Sequence, residues 1–126
     1  STAQKVVIAY SDDTNPQYGT AIVGSVSGSS LSFGTAVVFE SARTEACSVS
    51  YHSAAEKVVI SYRDRGNSNA GTLIVGTVSG TSISFGTPVV FNAGQLRIVG
   101  LSLIQPAIKL LFCIKMVEIQ ATELLL

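Results

Sequence analysis

Two loops carry the residues whose types and spacing suit chemistry. Asp12 and Asn15 stand in the first, followed by Tyr18, and Asp64 and Asn67 hold the same two places 52 residues later. A carboxylate and an amide so placed can hydrogen-bond sugar hydroxyls, hold a hard cation, or fold back on their own backbone as Asx turns. Calcium asks for closer oxygen ligands, in the manner of D-x-D-x-D-G, which neither loop has. The recurrence itself is informative. An active site is assembled once from unlike groups, whereas a feature stamped on every repeat is a structural turn or one of several equal ligand sites. The candidate ligand-binding residues are therefore Asp12, Asn15, Tyr18, Asp64 and Asn67, with no catalytic residue, no metal ligand and no cofactor expected.

The remaining chemistry-bearing residues form no constellation. His52 is the single histidine, with no cysteine or acid at a metal-like spacing, so zinc and a histidine-dependent triad lack support. Cys47 and Cys113 fit neither a CxxC pair nor a disulfide framework and read as two buried thiols. GSVSG (24–28) and GTVSG (76–80) echo phosphate-cradling loops, but each lies between two strand-like stretches and lacks the helix N-terminus such loops require. Asp12, Asp13, Glu40 and Asp64 give no pair in which one acid differs from the other as glycoside hydrolysis demands. Eight basic and eight acidic side chains cancel without any basic run, which sets aside nucleic acid and anionic membranes as partners.

The elements that must position the two loops are set by an internal repeat. Lys5 to Phe39 and Lys57 to Phe91 align without a gap at a shift of 52 residues and agree at 23 of 35 positions. Within each copy, β-branched runs alternate with turn residues. Lys5 to Ser11, Gly19 to Val26, Leu31 to Phe39 with a bend at Gly34, and Ala46 to Tyr51 each read as a strand. Ser27-Gly28-Ser29-Ser30 reads as a tight hairpin turn. The expected fold class is all-β: antiparallel four-stranded units in tandem, repeat 1 over 1–52 and repeat 2 over 53–102. The pattern is already running at Ser1, so the N-terminus reads as a cut inside an array.

The shared string Y-x-D-x-x-N-x-x-x-G-T-x-I-V-G-x-V-S-G-x-S-x-S-F-G-T-x-V-V-F resembles the blades of β-propellers, whose repeats run to roughly 40–50 residues. It lacks the Trp-Asp blade ending, the kelch double glycine and the sialidase-type aspartate box. It is similar to the short, near-identical blades of lectin-type and secreted or phage-borne repeat propellers, over residues 1 to about 102. A parallel β-solenoid is the other architecture with such periods, though its coils are shorter.

Residues 103–126, LIQPAIKLLFCIKMVEIQATELLL, abandon the pattern and allow an amphipathic helix from Ala107 onward. Loss of one base from a tyrosine codon at position 103 accounts for this stretch. The displaced frame, with permitted synonymous codons, spells YDSASNKVVILYKDGGNPSYGTAI, another copy of the repeat in phase with Lys57. The expectation is an aberrant tail made by frameshift of a third repeat; the alternative is a capping helix. Its charged residues interrupt it too often for a membrane span.

Two repeats leave sheet faces and edges that only neighbours can cover, which predicts self-association to complete a ring, or membership of a longer array. The function expected from these features is non-catalytic: a lectin-like or adhesin module, extracellular or surface-displayed, binding glycans or surface proteins through repeated loops. The alternative is a structural scaffold or fibre segment with no small-molecule ligand.

Overall fold

A computed structural model of the chain describes residues 4–52, 57–104 and 109–116. These residues are all-β, with antiparallel pairing throughout and no α-helix; none of their helical turns is long and apolar enough to cross a membrane. The first repeat supplies β1 (Gln4–Asp12), β2 (Tyr18–Ser27), β3 (Ser30–Phe33) and the start of β4 (Val37–His52). The second supplies β5 (Lys57–Asp64), β6 (Ala70–Ser79), β7 (Ser82–Phe85) and β8 (Val89–Asn92). β9 (Leu96–Ile104) and β10 (Lys109–Met116) form a separate two-stranded ladder.

The sequence period is also a period of backbone pairing. Lys5 faces Ser25 across β1 and β2, as Lys57 faces Thr77 across β5 and β6. Gly24 faces Phe33 as Gly76 faces Phe85, and Thr20 faces Val38 as Thr72 faces Val90. Each β2–β3 type hairpin turns on a glycine with positive φ, Gly28 at 62° and Gly80 at 63°, the backbone that the first residue of a II′ turn requires and a side chain resists.

Leu31 to Phe39 and Ala46 to Tyr51 were expected as two separate strands, but the chain breaks at 34–36 and then runs unbroken from Val37 to His52. The first part of β4 pairs with β2 and the second with β5, from Thr44 opposite Asp64 to His52 opposite Lys57. Register shifts near Gly19 and between Glu45 and Ser48, where Ala46 takes left-handed backbone at φ 54°, let the strand change partners. The boundary expected between repeats at residues 52 and 53 therefore falls inside the β4–β5 connection.

Because β4 serves both repeats, their strands close on one apolar core. Val7, Ala21, Val23 and Phe39 from the first repeat pack with Val58, Ile60, Tyr62, Ile74, Val78 and Ile83 from the second. The Phe39 ring stands edge-on to Tyr62 at 5.2 Å and tilted against Phe85 at 5.6 Å.

The helix allowed from Ala107 onward is not what residues 109–116 adopt. They form β10, paired with β9 in the register of β4 and β5 shifted by 52: Leu101 faces Phe112 as Val49 faces Ile60, and Met116 faces Leu96 as Asp64 faces Thr44. A run of Leu, Phe, Cys and Ile is rich enough in strand-forming side chains to extend when an open edge with the right hydrogen-bonding period lies beside it. Residues 117–126, and the part of the expected tail at 105–108, lie outside the described residues.

Candidate functional site

Both candidate loops are built by their aspartates. Asp12 Oδ1 accepts hydrogen bonds from the Thr14 backbone N–H at 3.0 Å and the Thr14 hydroxyl at 2.6 Å, while the Asp12 carbonyl accepts from the N–H groups of Asn15 and Gln17 at 3.0 and 2.9 Å. In the second loop Asp64 Oδ1 accepts from the Gly66 N–H at 2.9 Å and caps the short 3-10 turn Arg65–Asn67. Each loop returns to its next strand through a residue in left-handed backbone, Gln17 at φ 60° and Asn69 at φ 65°. The Asx-turn reading of the two aspartates is thus what their geometry supports.

The amides are placed differently. Asn15 is half-buried and Asn67 exposed, and neither side chain makes a hydrogen bond to the described residues. Tyr18 is half-buried at the start of β2, opposite Arg43. Its counterpart in the second repeat is Ala70, so the aromatic part of the candidate site does not recur.

The structure brings the two loops together on one stretch of β4. The Thr44 N–H donates to the Gln17 carbonyl of the first loop at 3.0 Å, and Thr44 is the register partner of Asp64 in the second. Around this junction lies a charged cluster that the repeat pattern did not announce. Glu45 forms an ion pair with Arg43 at 3.2 Å, accepts a hydrogen bond from Arg65 at 3.2 Å and also pairs with Arg63. Arg43 and Arg65 keep 50% and 42% of their side chains in solvent, so these two pairs fix orientation more than they stabilise.

On the other side of the junction the Tyr62 hydroxyl, on a fully buried ring, donates to Glu40 Oε2 at 3.2 Å. Burial raises the Glu40 carboxyl above its ordinary value of 4.5, and the Asp64 carboxylate raises it further; the Tyr62 hydroxyl and the backbone at Ser41 and Ala42 oppose this. Tyr62 itself is held neutral to high pH, first by burial and then by Glu40. Cys47 is a free, half-buried thiol whose Sγ lies 3.8 Å from Thr44 Oγ1, and burial pushes it up, away from nucleophilic use.

A carboxyl raised on folding binds its proton more tightly in the native state. Its stabilising contribution is complete below the ordinary value of 4.5 and is lost as pH rises through the higher folded value. Glu40→Gln keeps an acceptor for Tyr62 and removes the half-buried charge. The variant is expected to melt at or above the wild-type temperature at pH 7, with the wild-type advantage confined to acid pH. Thermal denaturation followed between about pH 4 and 8 reads both effects.

Six of the twelve differences between the aligned repeats fall within positions 11–18 and their counterparts 63–70. Arg63 and Arg65 replace Ser11 and Asp13 there, and Arg97 stands in the second repeat at the counterpart of Glu45. Shared positions encode the repeat; the differing ones mark the charged junction. No family model, curated protein or solved structure matches the chain.

Proposed function

We propose that the chain is a non-catalytic, propeller-type repeat module that recognises glycans or surface proteins through the rim its two loops form about Thr44. The observation that carries this reading is the convergence of two preorganised Asx loops on one strand, with two side-chain amides that make no hydrogen bond to the described residues. Direct contact with a ligand then falls to Asn15, Asn67, Tyr18 and the exposed arginines, while Asp12 and Asp64 hold the loops in shape. Weak sites of this kind gain strength by multiplicity, which suits an extracellular or surface-displayed module that self-associates.

The scaffold reading draws support from the same aspartates, because carboxylates spent on their own turns leave less for a ligand. A glycan array probed with the full chain separates the two. Recognition predicts a defined glycan class whose binding falls about tenfold or more in the Asn15→Ala/Asn67→Ala double variant, with the melting temperature unchanged, since neither amide supports the fold. Binding to no glycan, or binding indifferent to both amides, favours the scaffold.

A further inference from the structure

The chain carries one interface complete and, on its two outer sides, the sequence counterparts of that interface's two halves. Between the repeats, Ile60, Tyr62, Ile83 and Phe85 form a face covered by the first repeat, with Ile60 and Tyr62 at 0% exposure and Ile83 at 6%. Their counterparts in the first repeat, 52 residues earlier, are Ile8, Tyr10, Leu31 and Phe33, three identical and one conservative. These lie on the opposite outer side of the molecule, where Ile8 is 41%, Leu31 51% and Phe33 49% exposed. The side chains that cover the inner face have counterparts too. Val23 and Val37 correspond to Val75 and Val89 on the second repeat, where they are 47% and 62% exposed.

We propose that these halves belong together: a second copy of this chain docks the outer face of its second repeat, led by Val75 and Val89, on the outer face of the first repeat. The partner is a second copy because the face offered and the face required are both encoded in this sequence and already fit each other within one chain. The contact is heterologous, so it closes into a ring or continues as an open array. The strand edges agree. β1 pairs only with β2 among the described residues, whereas its counterpart β5 lies between β4 and β6. β9, the counterpart of the second part of β4, is occupied by β10 in the register that β4 uses on β5. Docking places β1 of one copy on β9 of the other, and β10 leaves that position. The tail strand thus stands in for the missing neighbour and limits self-association.

This inference shares the repeat reading with the proposed function but needs no ligand, so its test is made without any glycan. Gly34 supplies the probe. A Cβ there would lie 2.1 Å from the Thr81 carbonyl oxygen, at the junction of the two repeats, whereas at its counterpart Gly86 a Cβ meets only the Val75 carbonyl oxygen at 3.8 Å. Within one chain Gly86→Ala is therefore harmless; in the docked pair the same Cβ meets the carbonyl of Ser29, the counterpart of Thr81.

Sedimentation equilibrium of the full chain is expected to give an average mass that rises with concentration. Gly86→Ala is expected to weaken association about tenfold or more while the far-ultraviolet spectrum and melting temperature of the dilute protein stay at wild-type values. A Leu101→Cys/Phe112→Cys chain, with Cys47 and Cys113 replaced by serine, tethers β10 to β9 when oxidised. It is expected to remain monomeric until reduced. A monomer mass at every concentration overturns the proposal, as does a Gly86→Ala or oxidised tethered chain that associates like the wild type.

Discussion

Alanine at Gly34 is expected to cost about 3 kcal/mol or more, at the upper end of what overpacking exacts, and to lower the melting temperature by more than about 10 °C. The reason is the identity of the obstacle. The added methyl would meet the backbone oxygen of Thr81 at 2.1 Å and the Thr81 side chain at 2.9 Å, and a carbonyl held in the β6–β7 turn cannot swing aside as a flexible side chain would. Gly34 is also anchored, its N–H donating to the Val23 carbonyl at 2.9 Å. Gly86 sits in the same F-G-T string and makes the same bond, to the Val75 carbonyl at 2.9 Å, yet nothing lies close to it. Thermal melts of the two alanine variants, taken in dilute solution, should differ by most of the Gly34 effect. Equal melts would mean that the two repeats do not meet at Gly34 and Thr81.

The contrast between these glycines marks how far the sequence could be read. Its period of 52 residues made the hairpins, the glycine turns and the paired strands legible, because each depends on contacts inside one repeat. The aspartates of the two loops were legible as turn-formers for the same reason: Asp12 and Asp64 bond to groups two residues away. What the sequence did not disclose depends on contacts between repeats. β4 changes partner at Thr44, and no local signal in V-V-F-E-S-A-R-T-E-A says that one strand serves two neighbours. Glu45 could be matched with Arg63 only once that register was known. The tail is the reverse case. Residues 109–116 have lost the repeat's side chains but keep its backbone position, because an open ladder edge accepts any extended apolar run that hydrogen-bonds in phase.

Truncation of Phe39 should weaken the contact between repeats most, by about 3–5 kcal/mol for Phe39→Ala, since this ring fills the space between Tyr62 and Phe85. Phe39→Leu retains most of the volume and should cost less than about 1.5 kcal/mol beyond the lost ring contacts. The second repeat offers a control within the same molecule. Phe91 holds the corresponding place on the outer face, is half-buried rather than 8% exposed, and should cost markedly less when replaced by alanine. A double-mutant cycle locates the effect. At Gly71 the three atoms nearest an added Cβ all belong to the Phe91 ring, at 2.6, 3.0 and 3.1 Å, so the penalty of Gly71→Ala should largely vanish in a Phe91→Ala background. At Gly19 the ring of Phe39 lies at 2.6 and 2.7 Å but the Thr44 methyl stands at 2.8 Å, so Phe39→Ala should relieve Gly19→Ala only in part. Urea unfolding of the four single and two double variants measures the couplings. Full relief at Gly19 would show that Thr44 is not held there by both loops at once, and would remove the strand junction on which the proposed recognition rim depends.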